Sequence, residues 1–182
     1  MDTTTLKIRI LGDPVLRRKA ACVKKVTAEH CEILKEMCRL MYESSGIGLA
    51  APQVGISEAM IVVDIGSGLY KLINPRVIKR EGHQAIEEGC LSVPGISIKV
   101  KRAKKILLSA IDETGSPVTV KAEDLLACVF QHEIGHLQGK LIVDYANFFD
   151  KIKIAKKMKS LKERPKSAAL PKAQTKSGKL QL

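Results

Sequence analysis

The stretch Glu123-Asp124-Leu125-Leu126-Ala127-Cys128-Val129-Phe130-Gln131-His132-Glu133-Ile134-Gly135-His136-Leu137 decides how this chain is read. Glu123 and Asp124 suit the first turn of a helix, where unpaired backbone N–H groups favour negative charge, so a helix is expected over 123–137. His132 and His136 then lie one turn apart on one face, where both imidazoles reach a single cation. Glu133 projects from a neighbouring direction, close enough to act on a water at that cation. The alternative is a chance pair of helix histidines. Against it, the chain has only four histidines, and two of them flank this glutamate.

Two imidazoles are too few for a stable site, so a third protein ligand is expected, with a fourth position open to water. Three continuations can be compared. A metzincin needs His at the tenth position after the first His; Gly139 is in place, but Ile142 stands where that His belongs. A zincin with a downstream glutamate would have to use Glu163, at the end of a basic helix. A thiolate is the third choice. Of the cysteines at 22, 31, 38, 90 and 128, Cys31 and Cys38 fall on the apolar face of a helix expected over 28–43. Cys128 lies one turn before His132, and Cys22 has basic neighbours. Cys90 stands in a loop bounded by glycine and proline, Glu87-Glu88-Gly89-Cys90-Leu91-Ser92-Val93-Pro94-Gly95. That context lets a thiolate point into a site, though a structural thiol fits it equally well.

Upstream, Gly46-Ile47-Gly48-Leu49-Ala50-Ala51-Pro52-Gln53 follows the helix over 28–43. Its small residues imply close approach of backbone to something else. It lacks the Gly-x-Gly-x-x-Gly pattern and a following Lys-Ser/Thr, so phosphate binding is disfavoured. An extended substrate backbone pairing with this segment fits better. Between these motifs, 59–65, 70–78, 96–100, 105–112 and 117–120 are short, β-branched or alternating and read as strands. A last helix is expected over 147–162, with Phe148, Ile152, Ala155, Met158 and Leu161 as its apolar stripe. The pattern is α+β: mixed or antiparallel sheets packed around a central helix that carries the histidines, plus a C-terminal helix. The expected division is a catalytic domain over 1–146, a basic helix over 147–164 and a flexible basic tail over 165–182.

Composition bounds the function. The chain has 182 residues, 45% of them apolar, enough for one core. No apolar run approaches the roughly 20 residues of a membrane span. No secretory signal is read at the N-terminus, and five cysteines without paired spacing fit a reducing compartment. Trp is absent and only three Phe and three Tyr are present, too little for stacking on bases. The net charge is +12, yet residues 151–182 hold eleven Lys or Arg against Glu163 alone. A nearly neutral body therefore carries a strongly basic end.

Taken in order, residues 46–53, 88–92 and 132–136 resemble the three motifs of bacterial peptide deformylase. The similarity runs from about residue 10 to about residue 145. The resemblance implies a hydrolase that removes the N-formyl group from the initiator methionine of nascent polypeptides. By matching position, Cys90, His132 and His136 would bind one divalent metal, ferrous iron foremost, with zinc or nickel able to occupy the same site. Glu133 would be the general acid/base. The Gln53 amide and the Leu91 backbone N–H would stabilise the oxyanion, and Gly48 would bind the substrate backbone. Leu125, Cys128 and Val129, together with Ile86, are candidates for the wall of a methionine pocket, with an ordinary core role as the alternative for the first three; Ile47 and Gly89 are further substrate-binding candidates. Arg102 is a candidate for the peptide groove or a solvated strand residue.

One position departs from the pattern: the family usually has Asp where Gly135 stands. The strand over 106–111 carries no charge, so the carboxylate and its basic partner are expected to be missing together, which is milder than stranding one of them. The basic end resembles the ribosome-docking element of bacterial deformylases; a solubilising tail is the alternative. A cytoplasmic monomer is expected, in the bacterial cytosol with an organelle as the alternative, and with no membrane partner. Two other functions are open to the same residues: a zinc peptidase on the same helical motif, and a ribosome- or RNA-binding protein with a relic metal site.

Overall fold

In the computed structural model, which describes residues 6–163, seven strands and three helices follow one another. In chain order they are α1 (Ala28–Glu43), β1 (Gly48–Ala50), β2 (Met60–Asp64), β3 (Leu69–Glu81), β4 (Gln84–Glu88), β5 (Ile98–Arg102), β6 (Lys105–Ile111), β7 (Pro117–Glu123), α2 (Asp124–Leu137) and α3 (Phe148–Lys162). Five strands make one antiparallel sheet in the order β1-β2-β3-β6-β7, while β4 and β5 pair separately. The α+β expectation holds.

The apolar sequence of β2 explains the layering. Successive side chains of a strand point to opposite faces. Ile61 and Val63 meet Ala127, Val129, Phe130 and Ile134 of α2, while Met60 and Val62 meet Leu34, Met37 and Met41 of α1. A strand with both faces covered reads as a continuous apolar run. Phe130 anchors α2 to the sheet, edge-on to Tyr70 at 5.2 Å between ring centres. A third cluster joins the Cys90 loop, β5, the turn after α2 and the inner side of α3.

Local chemistry sets the boundaries. Thr27 caps α1, with its N–H donating to His30 Nδ1 at 3.0 Å. β3 runs past the expected 70–78 because its register shifts between Ile73 and Arg76 and then resumes. Pro75 has no N–H to give the ladder. Asn74, at φ 52°, turns its amide onto the backbone of Val23, bonding N and O at 2.9 and 2.8 Å. β1 and β4 were not anticipated: one has three residues, and the other is mostly polar and becomes a strand through its partner β5.

The expected apolar stripe of α3 is corrected. Phe148 and Ile152 are 72% and 60% exposed and Ala155 is exposed too, whereas Met158 and Leu161 pack inward as expected, joined by Ile154. Asn147 caps it, accepting from Asp150 N at 2.9 Å. The basic tail over 165–182 lies outside the described residues.

Candidate active site

α2 is buried nearly all round, and its polar side chains turn inward rather than to water. His132, Glu133 and His136 are 3%, 0% and 1% exposed. The turn after β4 brings Cys90 to them. His136 Nε2 lies 3.3 Å from Cys90 Sγ and 3.1 Å from His132 Nε2. One donor atom from each of the three residues falls within 4.8 Å of the other two.

A second layer orients the first. His132 Nδ1 is 2.9 Å from Glu88 Oε2. Glu88, itself fully buried, accepts from Arg102 Nε and Nη2, both at 2.8 Å. A carboxylate there holds the proton on Nδ1 and leaves the Nε2 lone pair facing the cluster. Arg102 in turn lies under the ring of Tyr145, 4.7 Å from its centre, and donates to the Tyr145 hydroxyl at 3.4 Å. Neither Glu88 nor Tyr145 was assigned a role from sequence. The signal for Glu88 was its place two residues before Cys90; Tyr145 had none.

From the other side, Gln53 is fully buried. Its Oε1 accepts from Ala50 N at 2.8 Å, which turns Nε2 toward Ser92 Oγ at 3.2 Å and Cys90 Sγ at 3.7 Å. Gly48 lies against the Glu133 carboxyl group: a Cβ built on it would stand 2.9 Å from Glu133 Cδ and closer still to Oε1. The sequence expectation of close backbone approach is thereby explained. β1 is also the terminal strand of its sheet.

The electrostatics of this cluster are unbalanced. Burial opposes ionisation of Glu88, but the bonds from Arg102 and His132 overcome it and hold the carboxyl below its usual range. Burial, reinforced by the Glu88 charge, pushes Glu133 well above the usual carboxylate range. Burial and then His132 hold His136 in the neutral form. Burial and Glu133 raise the Cys90 thiol, against the N–H groups of Ser92 and Val93 that point at the sulfur. Both Glu133 oxygens and His136 Nδ1 are buried without a hydrogen-bond partner among the described residues. Two imidazole nitrogens and a sulfur converging in this way fit a borderline-soft dication, whose charge would ionise the thiol and draw on the free Glu133 carboxyl.

The polypeptide deformylase family profile matches residues 5–151. The chain belongs to the polypeptide deformylase family. The peptide deformylase of Halothermothrix orenii is 50% identical over 141 residues, covering 76% of this chain and 92% of that protein. That of Syntrophomonas wolfei is 52% identical over 132 residues, covering 72% and 87%. Among solved structures, a peptide deformylase from Legionella pneumophila superposes with a TM-score of 0.82 at 36% identity, covering 89% of this chain and all of that one. Metal-dependent removal of the formyl group from N-terminal methionine is the activity that goes with this membership.

Within the deformylase frame, the remaining sequence candidates can be located. Leu91 is buried against the α1 side of the sheet, and Gly89 is buried beside Cys90. Ile47 and Ile86 are half-buried, on the segments leading into β1 and within β4. Cys128 and Val129 are fully buried; Val129 belongs to the sheet core, and Leu125 packs against that core from the rim. Glu163 is the exposed C-cap of α3 and lies outside the donor cluster, so the zincin reading has no third ligand. Arg102 is not a solvated strand residue: it is 8% exposed and ion-paired. It also corrects the expectation about Gly135. The strand 106–111 is uncharged, but a base is still present, because Arg102 from β5 and Gly135 line the same recess.

Proposed function

We propose that Cys90, His132 and His136 hold a ferrous ion, with zinc or nickel accepted at the same donors, and that Glu133 carries the proton in deformylation. The observation that supports this most is the convergence of three neutral-donor side chains beside a buried, unpartnered carboxyl group. When bound, such a dication acidifies water and polarises a carbonyl oxygen. The chain's own residues supply the rest. Burial and then the Glu88 charge raise the Glu133 pKa; a dication would draw it back down, and a carboxyl group so balanced can take a proton from the attacking water and pass it to the departing amine.

Charge that develops on the formyl oxygen meets the Gln53 Nε2–H and the Leu91 N–H. Gln53 is held in one orientation by Ala50, so it donates without reorganising, and losing a donor of this kind costs about 2.7–4 kcal/mol. The nascent peptide adds as an extended strand to the outer edge of β1, with Gly48 and Ile47 against it. Ile86, Gly89, Leu125, Cys128 and Val129 wall the methionine side chain, and the smallness of the formyl group lets this site reject acetyl by size. Arg102 acts through Glu88 rather than on the peptide.

α3 supports ribosome docking as a second element of the reading. Lys151, Lys153, Lys156 and Lys159 are exposed along it, and a Lys-rich surface binds RNA phosphates with strong salt dependence. The working form is a monomer in the bacterial cytosol; among the described residues no helix is long and apolar enough to cross a membrane. Anaerobically prepared, iron-loaded protein is expected to release formate from an N-formyl-methionyl peptide. Glu133→Ala with an equal metal content is expected not to. Formate release by that variant would remove Glu133 from the mechanism.

A further inference from the structure

The outer side of α2 faces a second recess that the deformylation chemistry does not use. It is a cleft of about 430 Å³ between α2, the far end of β3 and β5. Gln131, Gly135 and Gln138 recur at helical spacing along its α2 wall, and Gly135 leaves the middle of that wall bare. A Cβ at Gly135 would meet only Tyr145 Oη at 3.9 Å and Lys140 Cβ at 4.0 Å. The other walls are strongly cationic. Arg80 comes from β3, Lys101 and Arg102 from β5, and Lys140 from just past α2, with His83 at the rim.

Among the described residues Glu81 is the only acid lining the cleft, and it is engaged by Lys79 at 2.6 Å. Among the described residues lining it, Arg102 is the one buried cation, and its fork is committed to Glu88. Arg80, Lys101 and Lys140 have no ion pair among the described residues. Like charges gathered around a concave surface raise the local concentration of counter-ions. The Arg102 fork is already taken, and Arg80, Lys101 and Lys140 remain as three separate cations, which suit an anion carrying more than one charge and several acceptor oxygens.

We propose that this cleft binds a phosphate-class oxyanion, caged by Arg80, Lys101 and Lys140 and seated over Gly135 against Tyr145. The cleft is larger than orthophosphate, so the phosphate of a small monoester fits as well as the free ion. The site lies outside the Cys90 cluster, although Arg102 and Tyr145, which line it, also stand behind Glu88 and His132.

The test uses the full-length, metal-loaded protein, titrated calorimetrically with orthophosphate and, separately, with glycerol phosphate. Ionic strength is held constant with chloride. Saturable binding at one site is expected, weakened by about tenfold or more in the double variant Arg80→Ala/Lys101→Ala, whose two side chains are exposed and whose basic C-terminal end is intact. Tighter binding of glycerol phosphate assigns the rest of the cleft to an organic moiety; equal binding assigns the site to the free ion. Gly135→Asp, which places a carboxylate on the bare wall, is expected to abolish binding by both, and the double variant decides the matter if that protein does not fold. Equal affinity in wild type and double variant would put the binding on the basic end and overturn the proposal. So would a response no larger than that to chloride, or binding seen only with an RNA oligonucleotide.

Discussion

α2 and α3 are nearly equal in length, at 14 and 15 residues, and opposite in what surrounds them. In α2 all residues from Ala127 to Leu137 except Gln131 are buried; in α3 only Leu161 is. A polar side chain in a buried helix must be answered by another protein group or by a ligand. His132 is answered by Glu88, whereas the Glu133 carboxyl group is left over, and that remainder is where chemistry is expected. In α3 most charges face outward, and apart from Lys157, which bonds Gly95 O, the lysines acquire meaning only through a partner. Burial, more than the identity of the side chain, makes one helix a site and the other a surface.

The contrast can be broken at its strongest point. Replacing Glu133 with Ala removes a charge-bearing group that has no protein partner. Formate release should fall by about 10²- to 10⁴-fold. Thermal unfolding of the metal-free protein should not become easier, because no hydrogen bond is lost. A large drop in melting temperature would mean that the carboxyl group is structural.

Glu88→Ala should do the reverse. It strands Arg102, 8% exposed, without its partner, at a cost of about 3–5 kcal/mol in denaturant unfolding. It also frees the His132 ring, so metal affinity should drop by about 10- to 100-fold in competition with a chelator. Unchanged metal affinity would break the relay from Arg102 through Glu88 to His132.

On the α3 side, Leu161→Ala should cost about 2–5 kcal/mol, because it opens a hole in the cluster that holds the Cys90 loop.

Asp144, in the turn after α2, offers a pH test. Partial burial opposes its ionisation, but the bonds from Arg17 and from Leu141 N outweigh this and hold its pKa below the usual value. A depressed folded-state pKa contributes stability in full above the unfolded value of about 3.9, and that contribution is lost as pH falls through the folded one. The melting temperatures of wild type and Asp144→Asn should therefore differ at neutral pH and converge in acid. Phe148→Ser, at a side chain 72% exposed, should shift stability by no more than about 0.5 kcal/mol; a larger loss would mean that α3 is covered in solution.

Much of this was legible in the residues themselves. The bounds of α1, the start of α2 at the acidic pair and the inward-facing His-Glu-x-x-His face follow from local periodicity and capping, which act within a few residues. Cys90 could be singled out by its loop but not distinguished from a structural thiol without the motif resemblance. What stayed hidden depends on residues far apart in sequence. β4 is polar and exists because Ile86 faces Val100 across the pair. Arg102 reads as one base among several lysines until Glu88 is folded against it. Phe148 and Ile152 carry the right residue types at the right spacing, yet the helix turns another side to the body, since hydrophobic pattern alone does not fix which face docks.

The end of α3 rests on the beginning of the protein. A Cβ at Gly12 would stand 3.1 Å from the backbone of Lys162, and Lys157 Nζ donates to Gly95 O at 2.7 Å, beside the loop that carries Cys90. A chain is synthesised from its N-terminus, so α3 follows all three motifs in order of emergence. A chain stopped before α3 would hold every motif yet lack the Lys157 bond to Gly95 that borders the cysteine loop.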